Sequence, residues 1–469
     1  MTKKSINMAG VKTIHFVGVG GCGMSAIAKV LLGMGYAVTG SDLKESVNTM
    51  RLRDLGAKIY VGHKRGNIRS ADIIITSTAI PRDNVEKTEA ELNKIREYQR
   101  ADMLSWVMDQ FKQRIAVSGT HGKTTTSSMI ASIFLHAGFD PTFLIGGDVN
   151  NIDGNARFGG GNIVVAEADE SDKSFLKIHP TIEVVTNIEV DHIENYGNYE
   201  NIVKAFSSFI DLLPKDGVLV INNDKDNIRK LLEGVVDKKV ITYGLTDKSD
   251  YYVSNFKFSE RRTKFDVFHK GKKLGEVTLC VPGRQNILNA LAGLIVGLEV
   301  GCDFSQAGLG LQIFSGAKRR FQVISEVDDV MVVDDYGHHP TEIKATLQAA
   351  RSGYGDERRI ISIFQPHRYT RTLHLYKEFG ESFSDSNVVI VTDIYGAGED
   401  PIAGVSGKMV ADEVSKNGKE VIYIAGKEKV PEHIMKMVRP KDIIMTIGAG
   451  DIFITAKEIS NRLKMKSSG

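Results

Sequence analysis

The chain alternates short, nearly unbroken apolar runs with stretches of helical period. That alternation is the grammar of α/β units with mostly parallel sheets, whose strands are buried on both faces. Lys12-Thr-Ile-His-Phe-Val reads as a first buried strand. Gly18-Val-Gly20-Gly21-Cys22-Gly23 follows, then a helix over 24–33 and a second strand, Tyr36-Ala-Val-Thr, that ends at Gly40-Ser41-Asp42. Further helix and strand segments fall at 48–55, 58–61 and 72–76, Ser77 closes the last of these, and helices are expected over 88–98 and 102–110. A second series starts with the strand at 114–117 and a helix from Ser127. Its strands at 162–166, 181–186 and 218–221 all end in polar residues, the alternating stretch 250–281 reads as a small antiparallel sheet, and a helix covers 287–298. A third series has strands at 330–333, 360–364, 388–392, 421–425 and 442–447, with a helix over 341–350. The pattern predicts three α/β domains: a Rossmann-like N-terminal domain over 1–110, a central P-loop domain over 111–315, and a Rossmann-like C-terminal α/β domain over 316–469.

Composition narrows the class. With 469 residues, two to four domains are expected at ~100–200 residues each. A net charge of +2 with scattered Lys and Arg gives no nucleic-acid surface. Cys22, Cys280 and Cys302 are far apart and lack metal spacing, which fits a reducing compartment. The N-terminal residues carry no apolar signal core. No apolar run reaches the ~18–20 residues needed to span a bilayer; the longest, 287–300, is broken by Asn289 and Gly293. A cytoplasmic protein without membrane insertion is expected, as a monomer or homodimer.

The richest chemistry lies in Gly119-Thr120-His121-Gly122-Lys123-Thr124-Thr125. Strand, Gly-rich turn, Gly-Lys-Thr and helix make a phosphate-binding arrangement, because backbone N–H groups and the helix N-terminus converge on one anion. Lys123 would supply a point charge to the outer phosphates and the Thr124 hydroxyl a Mg²⁺ ligand, so ATP or a related nucleotide is implied. Val117 stands where the first glycine of the general P-loop pattern would be. Glu167 and His192, at the ends of neighbouring strands, can complete a Mg²⁺ site with Thr124, although imidazole is an unusual partner for that ion. Gly18, Gly20, Gly21 and Gly23, with Asp42 beyond them, form a dinucleotide-type turn that suits any diphosphate, a nicotinamide cofactor included. In the third series His338, His339, His367, Arg368 and Arg371 form a cationic set suited to a carboxylate or a phosphate.

Taken together, several motifs resemble the Mur ligases of bacterial cell-wall synthesis, nearly end to end. They are Gly18-Val-Gly-Gly-Cys-Gly-Met-Ser-Ala-Ile-Ala, Gly119-Thr-His-Gly-Lys-Thr-Thr, Glu167-Ala-Asp-Glu-Ser-Asp, Asn187-Ile-Glu-Val-Asp-His, Lys318-Arg-Arg-Phe, Asp335-Tyr-Gly-His-His-Pro-Thr-Glu and Phe364-Gln-Pro-His-Arg-Tyr-Thr-Arg. In that family the first P-loop glycine is normally absent. The resemblance implies an ATP- and Mg²⁺-dependent amide ligase of peptidoglycan synthesis that serves cell shape and division. It would join L-alanine to UDP-N-acetylmuramate through an acyl phosphate. By motif match Lys123 meets the γ-phosphate, Thr124 one Mg²⁺, and Glu167 and His192 the second metal and the reacting centre. Asn286 and Asn289 match adenine contacts, Arg320 a phosphate contact and Asp335 a ribose contact. Tyr336, His338, His367, Arg368 and Arg371 match the amino-acid pocket, and Gly18, Gly20, Gly21, Gly23, Asp42 and Ser77 the UDP site. The third domain would close over the active site. Two departures stand out: Gln285 where the family often has His, and no lysine matching the carbamylated one of several members, Lys204 being the nearest.

Overall fold

Most of the apolar runs fold as strands with both faces covered. In the computed structural model, which describes residues 6–150, 154–260 and 262–467, Ile73–Thr76, Ile182–Val185, Val330–Asp335 and Asp442–Ile447 are buried at every position. Residues 1–5 of the N-terminal segment and Arg261 of the basic run at 260–264 lie outside the described residues. The chain divides into two units. The first comprises Met1–Asn255, Phe265–Val277 and Leu288–Phe314, the second Phe256–Lys264, Thr278–Ile287 and Ser315–Gly469.

The first unit holds one sheet entirely and most of a second. Five parallel strands are ordered Lys58–Val61, Ala37–Asp42, Thr13–Val17, Ile73–Thr76 and Arg96–Gln99. The direction of chain progression reverses between Thr13–Val17 and Ile73–Thr76, so the loop 18–23 and Ser77 leave the sheet at its topological switch point, where such sheets open a crevice for ligands. The expected helix over 88–98 is corrected. A helix spans Val85–Leu92 and the chain then enters the strand Arg96–Gln99. Lys94 adopts φ 56° in the intervening turn. The strand is a polar, half-exposed edge, so it carries no apolar periodicity to betray it.

The second sheet has ten strands, ordered Lys272–Leu279, Arg262–His269, Tyr251–Ser259, Lys239–Gly244, Val218–Asn222, Ile182–Val185, Gln113–Ser118, Ile163–Glu167, Thr142–Val149 and Gly154–Arg157. The alternating stretch 250–281 supplies its edge, where Tyr251–Ser259 pairs in parallel with Lys239–Gly244. The P-loop strand Gln113–Ser118 lies between Ile163–Glu167 and Ile182–Val185, parallel to both. That placement brings the two polar strand ends to either side of the P-loop.

The second unit holds a six-stranded sheet, ordered Gln322–Val327, Val330–Asp335, Asp442–Ile447, Arg359–Phe364, Val388–Val391 and Glu420–Tyr423, with only the first strand antiparallel. Its residues alternate between two cores. Met331 and Val333 face one cluster with Ile343, Leu347 and Phe379, while Val330 and Val332 face another with Ile434 and Ile459. This period of two, apolar on both sides, requires helices on both faces.

One buried charge in the first unit has a measurable consequence. Glu86 is fully buried and accepts hydrogen bonds from Ser41 Oγ (2.5 Å), Asn67 Nδ2 (2.6 Å) and the Lys64 N–H (3.2 Å). His15 and His63 ring nitrogens lie 3.5 and 3.4 Å away. Burial alone would raise its pKa, but the His15 imidazole beside it and hydrogen bonds from Ser41 and Asn67 overcome that and hold it at about 2. A carboxylate depressed by folding contributes stability that is complete above its unfolded value near 4.5 and is lost as pH falls through about 2. Glu86→Gln is therefore expected to lower Tm at pH 7, by an amount equivalent to roughly 3 kcal/mol. It should also flatten the decline in Tm between pH 5 and pH 3. Thermal melts across that range check it, and parallel wild-type and variant curves would contradict it.

Candidate functional site

The P-loop is built by a turn that needs glycine. Gly119 has φ 135° and Gly122 φ 86°, the latter in the left-handed region that caps the helix Lys123–His136 without a side-chain cap. A Cβ at Gly119 would lie 2.1 Å from Thr186 Oγ1, and one at Gly122 2.6 Å from Asn289 Oδ1. The loop is fastened to the strand end beside it. Thr120 N–H donates to the Asn187 carbonyl (3.1 Å) and His121 N–H to Asn187 Oδ1 (2.9 Å), while the His121 carbonyl accepts from Thr186 Oγ1 (2.6 Å) and Asn187 Nδ2 (2.9 Å). Thr125 is buried in the first helical turn.

Three carboxylates crowd the helix start, and their roles differ. Glu167 accepts from Thr124 Oγ1 (2.9 Å) and from the Gly146 N–H (2.7 Å). Glu170, almost wholly buried, accepts from Lys123 Nζ at 2.8 Å. Lys123 also donates to the Gly119 and Thr120 carbonyls at 2.6 and 3.2 Å. Burial opposes the Lys123 charge, but Glu170, Asp169 and Glu167 outweigh it and hold its pKa above the usual value. Burial pushes Glu170 up to about 7 despite the ammonium beside it, with Asp169 adding to the rise. Its second oxygen is buried without a hydrogen-bond partner among the described residues.

On the other flank of the P-loop, His192 adopts φ 54° and its Nε2 lies 3.6 Å from Asp191. His121 Nε2 is 3.5 Å from Glu189. Burial of Glu189 is overcome by His121 and Lys225, which hold its carboxyl well below the usual range. Asn289 is buried against the P-loop, where its Oδ1 accepts from Thr126 Oγ1 (3.2 Å), so it braces the Gly122 turn. Asn286, in the second unit, donates to the Pro282 carbonyl (2.6 Å).

At the switch point of the five-stranded sheet, Asp42 Oδ2 accepts from the Gly20 N–H (2.8 Å), and Gly18 and Val19 N–H groups bond the Ser41 carbonyl (2.8 and 3.0 Å). A Cβ at Gly20 would meet Asp42 Oδ2 at 2.8 Å, and one at Gly23 would lie 3.2 Å from Arg100. Gly21 caps the helix Cys22–Gly33 without a side chain and no acidic residue occupies its first turn, so the helix N-terminus favours an anion. Ser77 is half-buried at the end of the neighbouring strand.

In the second unit the loops after two strands, Val330–Asp335 and Arg359–Phe364, which flank Asp442–Ile447 in the sheet, carry most of the predicted set. Asp335, buried, accepts from Phe321 and Gly337 N–H groups at 2.8 and 2.7 Å. Burial raises its pKa, and Arg320 and these N–H groups counter it. Arg320 pairs with Glu342 at 3.2 Å. Tyr336 and His338 rings meet edge to face at 5.5 Å, His338 and His367 lie 5.9 Å apart, and His367 stacks on Tyr395 at 5.8 Å. His339 caps the helix Pro340–Tyr354. His367 Nδ1 lies 3.2 Å from Arg371 Nη1. Burial, then Arg371 and Arg368, push its pKa down to about 4, so it is a neutral acceptor at pH 7. Arg368 has φ 68° immediately before the helix Tyr369–Gly380, a strained conformation of the kind that concentrates at functional sites.

The structure thus joins Thr124 to Glu167, Lys123 to Glu170, Asp42 to the Gly-rich loop, and Tyr336, His338, His367 and Arg371 into one cluster. Glu170, Glu342 and Arg319 received no role from sequence. Glu342 alone had a signal, its spacing of four residues after His338 on a helix start.

Three family models cover most of the chain: "Mur ligase family, catalytic domain" over residues 13–112, "Mur ligase middle domain" over 117–297, and "Mur ligase, glutamate ligase domain" over 319–450. The chain is 48% identical, over 96% of its length and 97% of the relative's, to a UDP-N-acetylmuramate–L-alanine ligase of Pelotomaculum thermopropionicum. The solved UDP-N-acetylmuramate-alanine ligase of Thermotoga maritima matches with a TM-score of 0.83 and 31% identity, covering 97% of this chain and 99% of that one. A murein peptide ligase of Psychrobacter arcticus shares the fold, with a TM-score of 0.69 and 23% identity over 97% and 99% of the two chains.

Proposed function

Since this chain belongs to the Mur ligase family, we infer that it joins L-alanine to UDP-N-acetylmuramate at the expense of ATP, in peptidoglycan precursor synthesis. The observation that carries this reading is identity approaching one half over nearly the full length of relatives with that name.

The chemistry assigns separate tasks to the two units. A carboxylate and an amine do not condense unaided. Transfer of the γ-phosphoryl group to the muramyl carboxylate gives an acyl phosphate and ADP; the amine then attacks the acyl carbon and inorganic phosphate leaves. Phosphoryl transfer needs positioning and charge stabilisation more than covalent help. Lys123 supplies a fixed positive charge at the P-loop, and the N–H groups at 119–125 cradle the phosphates. The donor set of Thr124 and Glu167 fits Mg²⁺, since the hydroxyl and carboxylate oxygens already converge at 2.9 Å and hard oxygen ligands suit that ion. Mg²⁺ would neutralise charge on the transferring phosphate, and His192 would serve the reacting centre. The loop 18–23 with Asp42 and Ser77 would take the UDP moiety. In the second unit Arg320 would meet phosphate and Asp335 ribose. Asn286 would reach adenine, with Asn289 acting through the P-loop turn it braces. A cytoplasmic location suits these substrates.

Tyr336, His338, His367, Arg368 and Arg371 would hold L-alanine, the arginines taking its carboxylate by their planar forks. Arg371→Ala is expected to raise KM for alanine at least about tenfold and leave KM for ATP within about twofold. Because His367 stays neutral far above its pKa of about 4, alanine affinity should show no His367 step between pH 6 and pH 8. The function as a whole is tested by ADP release. Release should require UDP-N-acetylmuramate and alanine together, and ATP turnover indifferent to the UDP-sugar would overturn it.

A further inference from the structure

Arg319 precedes the residue given to phosphate, and both guanidiniums lie over the Tyr336 ring, that of Arg320 at 5.4 Å, but the Arg319 side chain also grips the neighbouring strand end. Nε donates to Asp334 Oδ2 at 3.0 Å, Nη2 to the Gly448 carbonyl at 2.6 Å and Nη1 to the Ala449 carbonyl at 3.5 Å. Its guanidinium carbon lies 4.9 Å from the centre of the Tyr336 ring and 4.8 Å from that of Phe453. The backbone adds a further tie, because the Arg319 carbonyl accepts from the Tyr336 N–H at 2.6 Å and Arg319 itself holds φ 59°. One residue therefore touches the ends of two adjacent strands, Val330–Asp335 and Asp442–Ile447, and the aromatic residue that leaves the first of them.

The turn that Arg319 grips leads onward to His367. Gln365 on the next strand end donates to Asp451 Oδ1 (3.0 Å), and its Oε1 accepts from the Ile452 N–H (3.2 Å). A Cβ at Gly450 would lie 2.7 Å from Tyr395, the ring that stacks on His367. Tyr336 is thus fixed directly and His367 through close packing.

We propose that Arg319 is a positioning residue for the amine substrate, setting the width of the pocket between Tyr336 and His367 and with it the selectivity for a small amino acid. The inference rests on the reading of Tyr336, His338, His367, Arg368 and Arg371 as the amino-acid pocket. A planar fork with donors in three directions and two faces for rings performs this task; a lysine ammonium keeps the charge beside Asp334 but neither the fork nor the stacking. Small apolar side chains are weakly discriminated by a pocket alone, about 10–200-fold per methylene, so slight widening shows first as lost selectivity.

The test is steady-state kinetics of the full chain with Arg319→Lys, with Phe453→Leu as a milder variant that leaves the ion pair intact, and with Arg371→Ala as the reference for the pocket. Arg319→Lys is expected to raise KM for alanine at least about tenfold, to leave KM for ATP and UDP-N-acetylmuramate within about twofold, and to narrow the preference for alanine over glycine and serine. Phe453→Leu should move the same quantities in the same direction by less, and it decides the matter if Arg319→Lys does not fold. An equal rise in KM for ATP would overturn the proposal, since Arg319 would then act through Arg320 on phosphate. Unchanged alanine kinetics in folded variants would overturn it as well. If Arg371→Ala raises KM for alanine and the other two variants do not, only the positioning role falls. If none of the three alters it, the pocket reading falls too.

Discussion

Lys123→Ala is expected to reduce ADP release with all three substrates present by about 10²–10³ or more. The lysine is the one cation among the described residues fixed by the P-loop's own carbonyls and by Glu170, and phosphoryl transfer leaves little for the protein to do beyond placing such charges. The obvious objection is that the variant unfolds, because its removal strands a buried carboxylate. The pKa of Glu170 answers it. That group already titrates near 7 with the ammonium beside it; without the ammonium it rises further and keeps its proton at neutral pH. A carboxyl raised by folding contributes fully below its unfolded value and costs stability as pH rises towards its folded one. The variant should therefore melt close to wild type at pH 6 and progressively lower above pH 7. Lys123→Ala combined with Glu170→Gln should lose that pH dependence while remaining inactive. Near-normal turnover by a folded Lys123→Ala protein would remove the P-loop from the mechanism.

Glu167→Gln should be almost as damaging, for a different reason. The amide oxygen can still accept from Thr124 Oγ1 and the Gly146 N–H, which Glu167 now holds at 2.9 and 2.7 Å, so the loop should keep its shape. What disappears is the negative charge, and a neutral amide is a far weaker partner than a carboxylate for a hard divalent cation. The expected result is a fall in kcat of about 10²-fold and a rise of at least about tenfold in the Mg²⁺ concentration giving half-maximal activity. Titrating Mg²⁺ at fixed ATP measures both. A variant with low kcat and an unaltered Mg²⁺ curve would show that Glu167 acts on Thr124 alone.

These two variants also mark the limit of what the residues reveal before folding. The strand–glycine–helix grammar located the P-loop, and strand ends rich in carboxylates located its flank, because local patterning survives in the sequence. Within Glu167-Ala-Asp-Glu-Ser-Asp, however, nothing local tells which carboxylate meets Lys123 and which Thr124. The strand stops at Glu167, alternation stops with it, and only the loop's path brings Glu170 under the lysine. Arg319 lies in the motif Lys318-Arg-Arg-Phe, but its role was invisible for the same reason: its partners Gly448, Ala449 and Phe453 lie over a hundred residues away, as the 129-residue separation from Gly448 shows. Asn289 was legible as a site residue, but its contact with Thr126, 163 residues earlier, depends on how the helix Arg284–Val300 packs. The strand Arg96–Gln99 was lost because a polar edge strand has no buried face to advertise.

The claim on which the account turns is that the amine is a single small amino acid. The rings of Tyr336, His338 and His367 pack in turn at 5.5 and 5.9 Å beside Arg371, and a peptide nucleophile would carry its carboxylates farther from the reacting amine than alanine does. The decisive measurement is a competition with ATP, UDP-N-acetylmuramate, and L-alanine and L-alanyl-γ-D-glutamyl-diaminopimelate at equal concentration, with products counted by mass spectrometry. The account predicts that the alanyl product dominates at every time point; preferential incorporation of the tripeptide would contradict it.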